Sequence, residues 1–141
     1  MSEGEARTAA AQPLRVVVVE NHDDTRALLV LFLERMGHHV QSAATLAEAL
    51  ERWPAAGSDV LISDLGLPDG SGWELLGRLP PGPPGSALFA IAISGFGLRA
   101  DREKSRVAGF RHHLVKPVDA DHLERVLEEA RRERDARQSA A

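Results

Sequence analysis

The chain has 141 residues, of which 43% are hydrophobic, and a formal net charge of −4. That is one domain's length, enough to bury a real core without staples, and the absence of cysteine excludes disulfides, thiolate metal sites and cysteine nucleophiles. No run approaches the roughly 20 apolar residues of a membrane span, no apolar signal segment follows Met1, and the acidic balance excludes a nucleic-acid footprint, so a cytoplasmic protein with neither membrane nor nucleic acid as partner is expected.

Residues 1–13 are polar and alanine-rich and read as a disordered N-terminal tail. Residues 14–19 are apolar apart from Arg15, the pattern of a buried parallel strand. Asp23 or Asp24 is placed to cap a helix to about Met36, with Leu28, Leu29, Phe32 and Leu33 near helical spacing and Gly37 as its stop. Residues 39–43 read as a weak second strand. Thr45 and Glu48 form a capping box that opens a short helix to about Trp53, ended by Pro54. Residues 60–63 are the third strand, and 71–79 a short helix carrying Trp73, Leu75, Leu76 and Leu79. The run Pro80-Pro81-Gly82-Pro83-Pro84-Gly85 breaks that helix, and its PxxP spacing reads as a surface connector rather than a recognition ligand. A fourth strand is predicted over 87–93, a weakly amphipathic polar segment over 99–108 ending at Gly109, and a short fifth strand over 113–115. Asp119 caps a last helix whose apolar stripe, Leu123, Val126, Leu127 and Ala130, stops at residue 130. Residues 131–141 have no face to bury and are expected to fray as a polar C-terminal tail, too short for a DNA-binding or catalytic output domain. The folded domain is therefore expected over 14–130.

Strand and helix alternate five times, which implies a mostly parallel sheet with helices on both faces. The expected fold is α/β and flavodoxin-like, a doubly wound five-stranded parallel sheet in the order 2-1-3-4-5. Four of the strands end in polar residues: residues 16–19 run into Glu20-Asn21, 60–63 into Asp64, 88–93 into Ser94-Gly95, and Leu114-Val115 into Lys116-Pro117. In that order Asp64 ends the central strand, with neighbours about 4.8 Å away on either side. Glu20, Asn21 and Ser94 then flank it, while Lys116 lies two strands off and needs its full length to reach.

Two carboxylates and an amide oxygen are hard ligands that suit Mg²⁺. Ser94 and Lys116 supply donors without competing negative charge, so the rim can clamp a phosphoryl group, and a carboxylate can itself accept one. Lys104 and Lys116 are the only lysines among 17 basic residues; a compact ammonium differs from the guanidinium fork used elsewhere in the chain. Taken singly, each rim residue also fits an inert role: Glu20 as a solvated strand end, Ser94 in a turn, Lys116 as a surface lysine before a proline. Their coincidence at one end of four strands favours chemistry. His38-His39 and His112-His113 are adjacent pairs, which in a strand point to opposite faces, so neither pair ligates one ion. Trp53 and Trp73 are read as packing residues.

The stretches Val16-Val17-Val18-Val19-Glu20-Asn21, Asp64-Leu65-Gly66-Leu67-Pro68-Asp69-Gly70-Ser71-Gly72, Ile93-Ser94-Gly95 and Val115-Lys116-Pro117 together resemble a response-regulator receiver domain of two-component signalling. The wording of the second stretch, and Gly109-Phe110 leading to His112-His113, are similar to receivers associated with hybrid histidine kinases. The resemblance implies that Asp64 accepts a phosphoryl group from a phosphohistidine of a sensor histidine kinase or phosphotransfer protein. It implies that Glu20, Asn21, Asp64 and the backbone carbonyl of Gly66 form the Mg²⁺ site. Ser94 and Lys116 would hold the transferred group, Ser94 and His113 would act as the switch, and a downstream protein would respond. Pro117 at this position is often cis in the family.

The chain departs from the pattern twice. Asn21 stands where a second acidic residue is usual, which should weaken Mg²⁺ binding. His113 stands where Tyr or Phe is usual, which puts its coupling to Ser94 in question. Asn21 also keeps open a pseudo-receiver that docks partners without phosphorylation. A phosphatase that forms an aspartyl phosphate on the same sheet type needs a second Asp two residues on, where this chain has Gly66, and no Gly-rich turn follows the first strand as a dinucleotide enzyme needs. A signalling module rather than an enzyme is expected.

Overall fold

The computed structural model describes residues 12–95 and 99–140. The expected N-terminal tail therefore lies outside the described residues except for Gln12 and Pro13. The described strands are β1 (Arg15–Val19), β2 (His39–Ala43), β3 (Val60–Asp64), β4 (Gly66–Leu67), β5 (Gly70–Ser71), β6 (Phe89–Ser94) and β7 (His112–Val115). The helices are α1 (Asp23–Arg35), α2 (Leu46–Glu51), α3 (Gly72–Arg78), α4 (Arg99–Ala108) and α5 (Ala120–Ala140). Five strands form one parallel sheet in the order β2-β1-β3-β6-β7, which is the expected order once the small β4–β5 hairpin is counted separately. That hairpin, not foreseen from the sequence, pairs Gly66 with Ser71 and Leu67 with Gly70.

Strand alternation sorts the core into two layers. Val16, Val18, Val60, Ile62, Ile91 and Ile93 pack with Leu29 and Leu33 of α1 and Leu123, Val126 and Leu127 of α5. Val17, Val19, Leu61, Ala90 and Ala92 face the other way, toward Leu46, Ala49, Leu75 and Phe110. Covering both faces of a parallel sheet explains why β3 and β6 are apolar without alternation and buried throughout. In α1 the apolar spacing is only partly core: Leu29 and Leu33 are buried, but Leu28 is 48% exposed.

The helix boundaries follow local chemistry. The N-cap of α1 is His22 rather than Asp23 or Asp24, and its Nδ1 accepts from the Thr25 amide at 3.2 Å. The two aspartates lie in the first turn, where negative charge complements the helix dipole. Thr45 caps α2 as expected, while Glu48 reaches back one residue further than a capping box requires and accepts from the Ala44 amide at 2.9 Å. Gly37 and Gly109, with φ of +92° and +114°, take the left-handed turn that ends α1 and α4.

The C-terminal expectation is corrected. The last helix runs on to Ala140 instead of fraying after residue 130. Arg134 is buried on it and donates to the carbonyls of Gln12 and Pro13, each at 2.8 Å, with Asp59 at 3.8 Å. The apolar stripe does end at Ala130, but the helix continues on a polar contact that hydrophobic spacing does not register. The same contacts hold Gln12 and Pro13 against the domain. Among the described residues, no helix is long and apolar enough to cross a membrane.

Candidate functional site

The four polar strand ends meet on one rim. Asp64 closes β3 and is 8% exposed, Glu20 follows β1 at 1%, and Ser94 closes β6 at 9%. Lys116, just past β7, crosses from two strands away. Its amide donates to the Ser94 carbonyl at 2.8 Å, which directs the chain over the rim. Its Nζ then lies 2.5 Å from Asp64 Oδ2, to which it donates, and 2.5 Å from Glu20 Oε1. The Glu20 contact is an ion pair, with Oε1 buried and the ammonium as its polar neighbour. The other oxygens are fixed from the backbone: Glu20 Oε2 accepts from the His22 amide and Asp64 Oδ1 from the Gly66 amide, both at 2.9 Å. Burial lowers the basicity of the Lys116 ammonium, but its bonds and charge contacts with Asp64 and Glu20 outweigh that and leave its pKa above a free lysine's. The Lys116–Pro117 peptide is cis.

A second contact lies on the next strands. Ser94 Oγ and His113 Nε2 are 2.7 Å apart, so histidine at this position hydrogen-bonds Ser94 directly. His112 faces the other way, 2.9 Å from Glu129 and stacked on Phe89, as adjacent strand residues must. Asn21 is less integrated: it is exposed, and its carbonyl accepts from Arg26 at 3.3 Å. Gly66 is exposed at the start of β4, placed by its amide's bond to Asp64.

Three further residues support the rim: Arg26, which pattern reading passed over, and Asp69 and Gly72, which it met only as part of the stretch after Asp64. Arg26 donates to the carbonyls of Glu20 and Asn21; a cation near a helix N-terminus opposes the helix dipole, and that misfit was the available clue. Asp69, in the β4–β5 turn, accepts from the amides of Leu46 and Ala47 at 2.8 and 3.0 Å, and these two bonds hold its carboxyl below the usual range. It straps the loop after Asp64 onto the start of α2. Gly72 packs so closely that a Cβ there would lie 2.6 Å from the Asp64 carbonyl oxygen and 3.2 Å from Ser63 Oγ. The glycine spaced eight residues after Asp64 is thus a contact with the Asp64 backbone, and any side chain would displace it.

The donor set is two carboxylates with a lysine between them. Among the described residues no group of three or more His, Cys, Asp or Glu is arranged to hold a metal. The set does fit a hard cation that keeps most of its water and takes one or two carboxylates, because two buried carboxylates, Glu20 and Asp64, meet at one ammonium and carry one negative charge more than Lys116 offsets.

The profile of the response regulator receiver domain family matches residues 16–128. The chain is 36% identical over 114 residues to an uncharacterized 14.6 kDa protein from the sodA1 3′ region of Leptolyngbya boryana, covering 81% of this chain and 87% of that one. It is 34% identical over 122 residues to the virulence sensor protein BvgS of Bordetella pertussis, covering 83% of this chain but only 10% of that much longer protein. In three dimensions it is similar to a CheY-like response regulator receiver domain from Methylobacillus flagellatus, with a TM-score of 0.74 and 28% identity over 84% of this chain and 99% of that one. A sheet with this strand order, a carboxylate–lysine rim at its C-terminal edge and a family profile spanning nearly the whole folded domain agree: the chain belongs to the response regulator receiver domain family, the receiver module of two-component signalling.

Proposed function

We propose that Asp64 is the phosphoacceptor, taking a phosphoryl group from the phosphohistidine of a sensor histidine kinase or phosphotransfer protein. The observation that carries this reading is the Asp64 carboxylate at the C-terminal end of the central strand, nearly buried and held by Lys116 Nζ at 2.5 Å. A carboxylate oxygen attacks phosphorus, the phosphorus–nitrogen bond breaks, and the donor imidazole leaves with the electron pair. Lys116 then has a phosphoryl oxygen to pair with in place of the carboxylate, and Ser94 a new acceptor for its hydroxyl proton. Mg²⁺, held by Glu20 and Asp64 with Asn21 and the Gly66 carbonyl at its edge, would supply the charge that offsets the incoming phosphoryl oxygens. Relief of the Ser94–His113 bond would carry the change to the surface that a downstream protein reads. Identity to part of a virulence sensor protein supports a sensor kinase as the source of the phosphoryl group. The role is that of a cytoplasmic signalling module and not of an enzyme with its own substrate.

Exposed Asn21, in place of a second acid, favours one other reading: a pseudo-receiver that docks partners without phosphorylation. Intact mass separates the two. Incubation with a small phosphoryl donor and Mg²⁺ should add about 80 Da, and Asp64→Asn should abolish the gain. No gain in the wild type supports the pseudo-receiver, and uptake by Asp64→Asn at the wild-type rate means that another residue is the acceptor.

A further inference from the structure

The turn from β1 into α1 is three residues long, Glu20-Asn21-His22, and it presents the buried carboxylate of the rim. It is held by backbone at one end, where the Glu20 amide donates to the Ala43 carbonyl at 3.0 Å. At the other end His22 caps α1, and between them the carbonyls of Glu20 and Asn21 are held by the Arg26 side chain. Its Nη1 donates to the Glu20 carbonyl at 2.9 Å and to the Asn21 carbonyl at 3.3 Å, while Nη2 donates to Asp23 Oδ1 at 2.7 Å. The Arg26 side chain is 22% exposed although its carboxylate partner is 85% exposed, so the fork is drawn inward by the carbonyls and not outward by the ion pair. A planar guanidinium reaches the two carbonyls with one nitrogen and the carboxylate with another, whereas an ammonium has to serve all three from a single nitrogen.

The geometry points to Arg26 as a positioning residue for the cation site, acting through Glu20. By fixing both carbonyls of the turn it holds the conformation in which the His22 amide captures Glu20 Oε2, and that capture leaves Oε1 buried on the inner side beside Lys116. Without the fork the turn has no side-chain anchor at these carbonyls, and the carboxylate loses its fixed orientation. This deepens the phosphoacceptor reading and rests on its assignment of Glu20 and Asp64 to Mg²⁺.

A positioning role and a simple charge effect predict opposite signs. A positive charge beside a divalent cation weakens its binding, so removing the charge alone should strengthen it. Removing an outer partner that orients a metal ligand instead costs about 10-fold or more in affinity. Mg²⁺ is titrated into the full chain and followed by the amide chemical shifts of Glu20, Asn21 and His22, well below the melting temperature of each variant. Arg26→Met is expected to bind roughly 10-fold more weakly than wild type. Arg26→Lys, which keeps the charge and the stem and so keeps the fold, is expected to bind several-fold more weakly. Tighter binding by Arg26→Met, or wild-type affinity in Arg26→Lys, overturns the proposal. Glu20→Gln is the control for the underlying reading: if it binds as the wild type does, the cation is not held by Glu20 and both assignments fall. If it loses binding while the Arg26 variants do not, the site stands and only the positioning role is wrong.

Discussion

Lys116 is the residue on which the rim turns. Its ammonium lies between two carboxylates that would otherwise repel each other and offsets one of their two charges, reaching both from the far side of β6. Lys116→Arg keeps the charge but replaces a single nitrogen that serves both carboxylates at 2.5 Å with a wider planar fork. That variant should fold with near-native thermal stability and take up phosphate more slowly. It should also fail to show the mimic-induced change in amide hydrogen exchange at Ser94 and along β7. Wild-type protection in the variant would remove Lys116 from the coupling path. Asn21 sets a second expectation: Asn21→Asp adds a hard anionic oxygen at the rim and should tighten Mg²⁺ binding in a titration against the wild type; equal or weaker binding would count against the assigned site. Glu20, Asp64, Ser94 and Lys116 were legible because each ends an apolar strand. Arg26 was not legible, and Asp69 and Gly72 were legible only as members of a motif, because what all three do is a distance between segments that periodicity does not encode.

At the level of elements, the two ends of the sheet are held differently. The C-terminal rim is built from strand ends and short loops, with the β4–β5 hairpin strapped to α2 through Asp69. The opposite end is closed by α5. Arg134 bonds the Gln12 and Pro13 carbonyls and ties the last helix to the chain entering β1. Arg111 adds a two-pronged bridge from the start of β7 to Glu133, both bonds at 2.7 Å, and lies over Phe89. That bridge is exposed and contributes little, about 1 kcal/mol or less. Arg134 is a different case, since its loss leaves two carbonyls short of their donor. Gln12 and Pro13 are exposed, so water can take the donor's place, and Arg134→Met should cost about 1 kcal/mol, measured as a lower urea midpoint with unchanged phosphate uptake at Asp64. A loss below about 0.5 kcal/mol would mean that the helical extension is incidental to stability.

For the whole molecule, titrating groups define a plateau of stability. Burial, aided by the charges of Arg134 and Arg131, lowers the pKa of His38 from its ordinary 6.5; Glu128 and His39 are the other charged neighbours, the first opposing the shift. His38 Nδ1 accepts from the Leu14 amide at 3.1 Å, which only an unprotonated nitrogen can do. The unfolded chain takes this proton first, so the contribution of neutral His38 is complete above pH 6.5 and is lost as pH falls below it. The depressed carboxyls of Asp69, Glu128 and Glu133 act further down, losing their contribution as pH falls through their lowered values. Lys116, raised above 10.5, contributes fully below that value and loses its contribution as pH rises through its folded pKa. His38→Asn keeps an acceptor near the Leu14 amide but cannot take a proton. Its urea midpoint should fall less than the wild type's between about pH 7 and pH 5; parallel slopes would show that His38 is not a source of the acid sensitivity.

The strand–helix alternation, the strand order and the line of polar residues ending the strands were determined by the sequence alone, because burial on both faces forces apolar runs and turns must be polar. The phosphoacceptor candidate followed from the same rule. Other features were decided by the tertiary structure: the reach of Lys116 across two strands, the direct Ser94–His113 bond, the Arg26 fork and the burial of Arg134. Each joins groups whose distance depends on how strands and helices pack. A polar side chain placed against a backbone carbonyl leaves no trace in hydrophobic spacing, so a chain read one segment at a time shows Arg134 as a charge in a solvated tail and not as the clasp between its two ends.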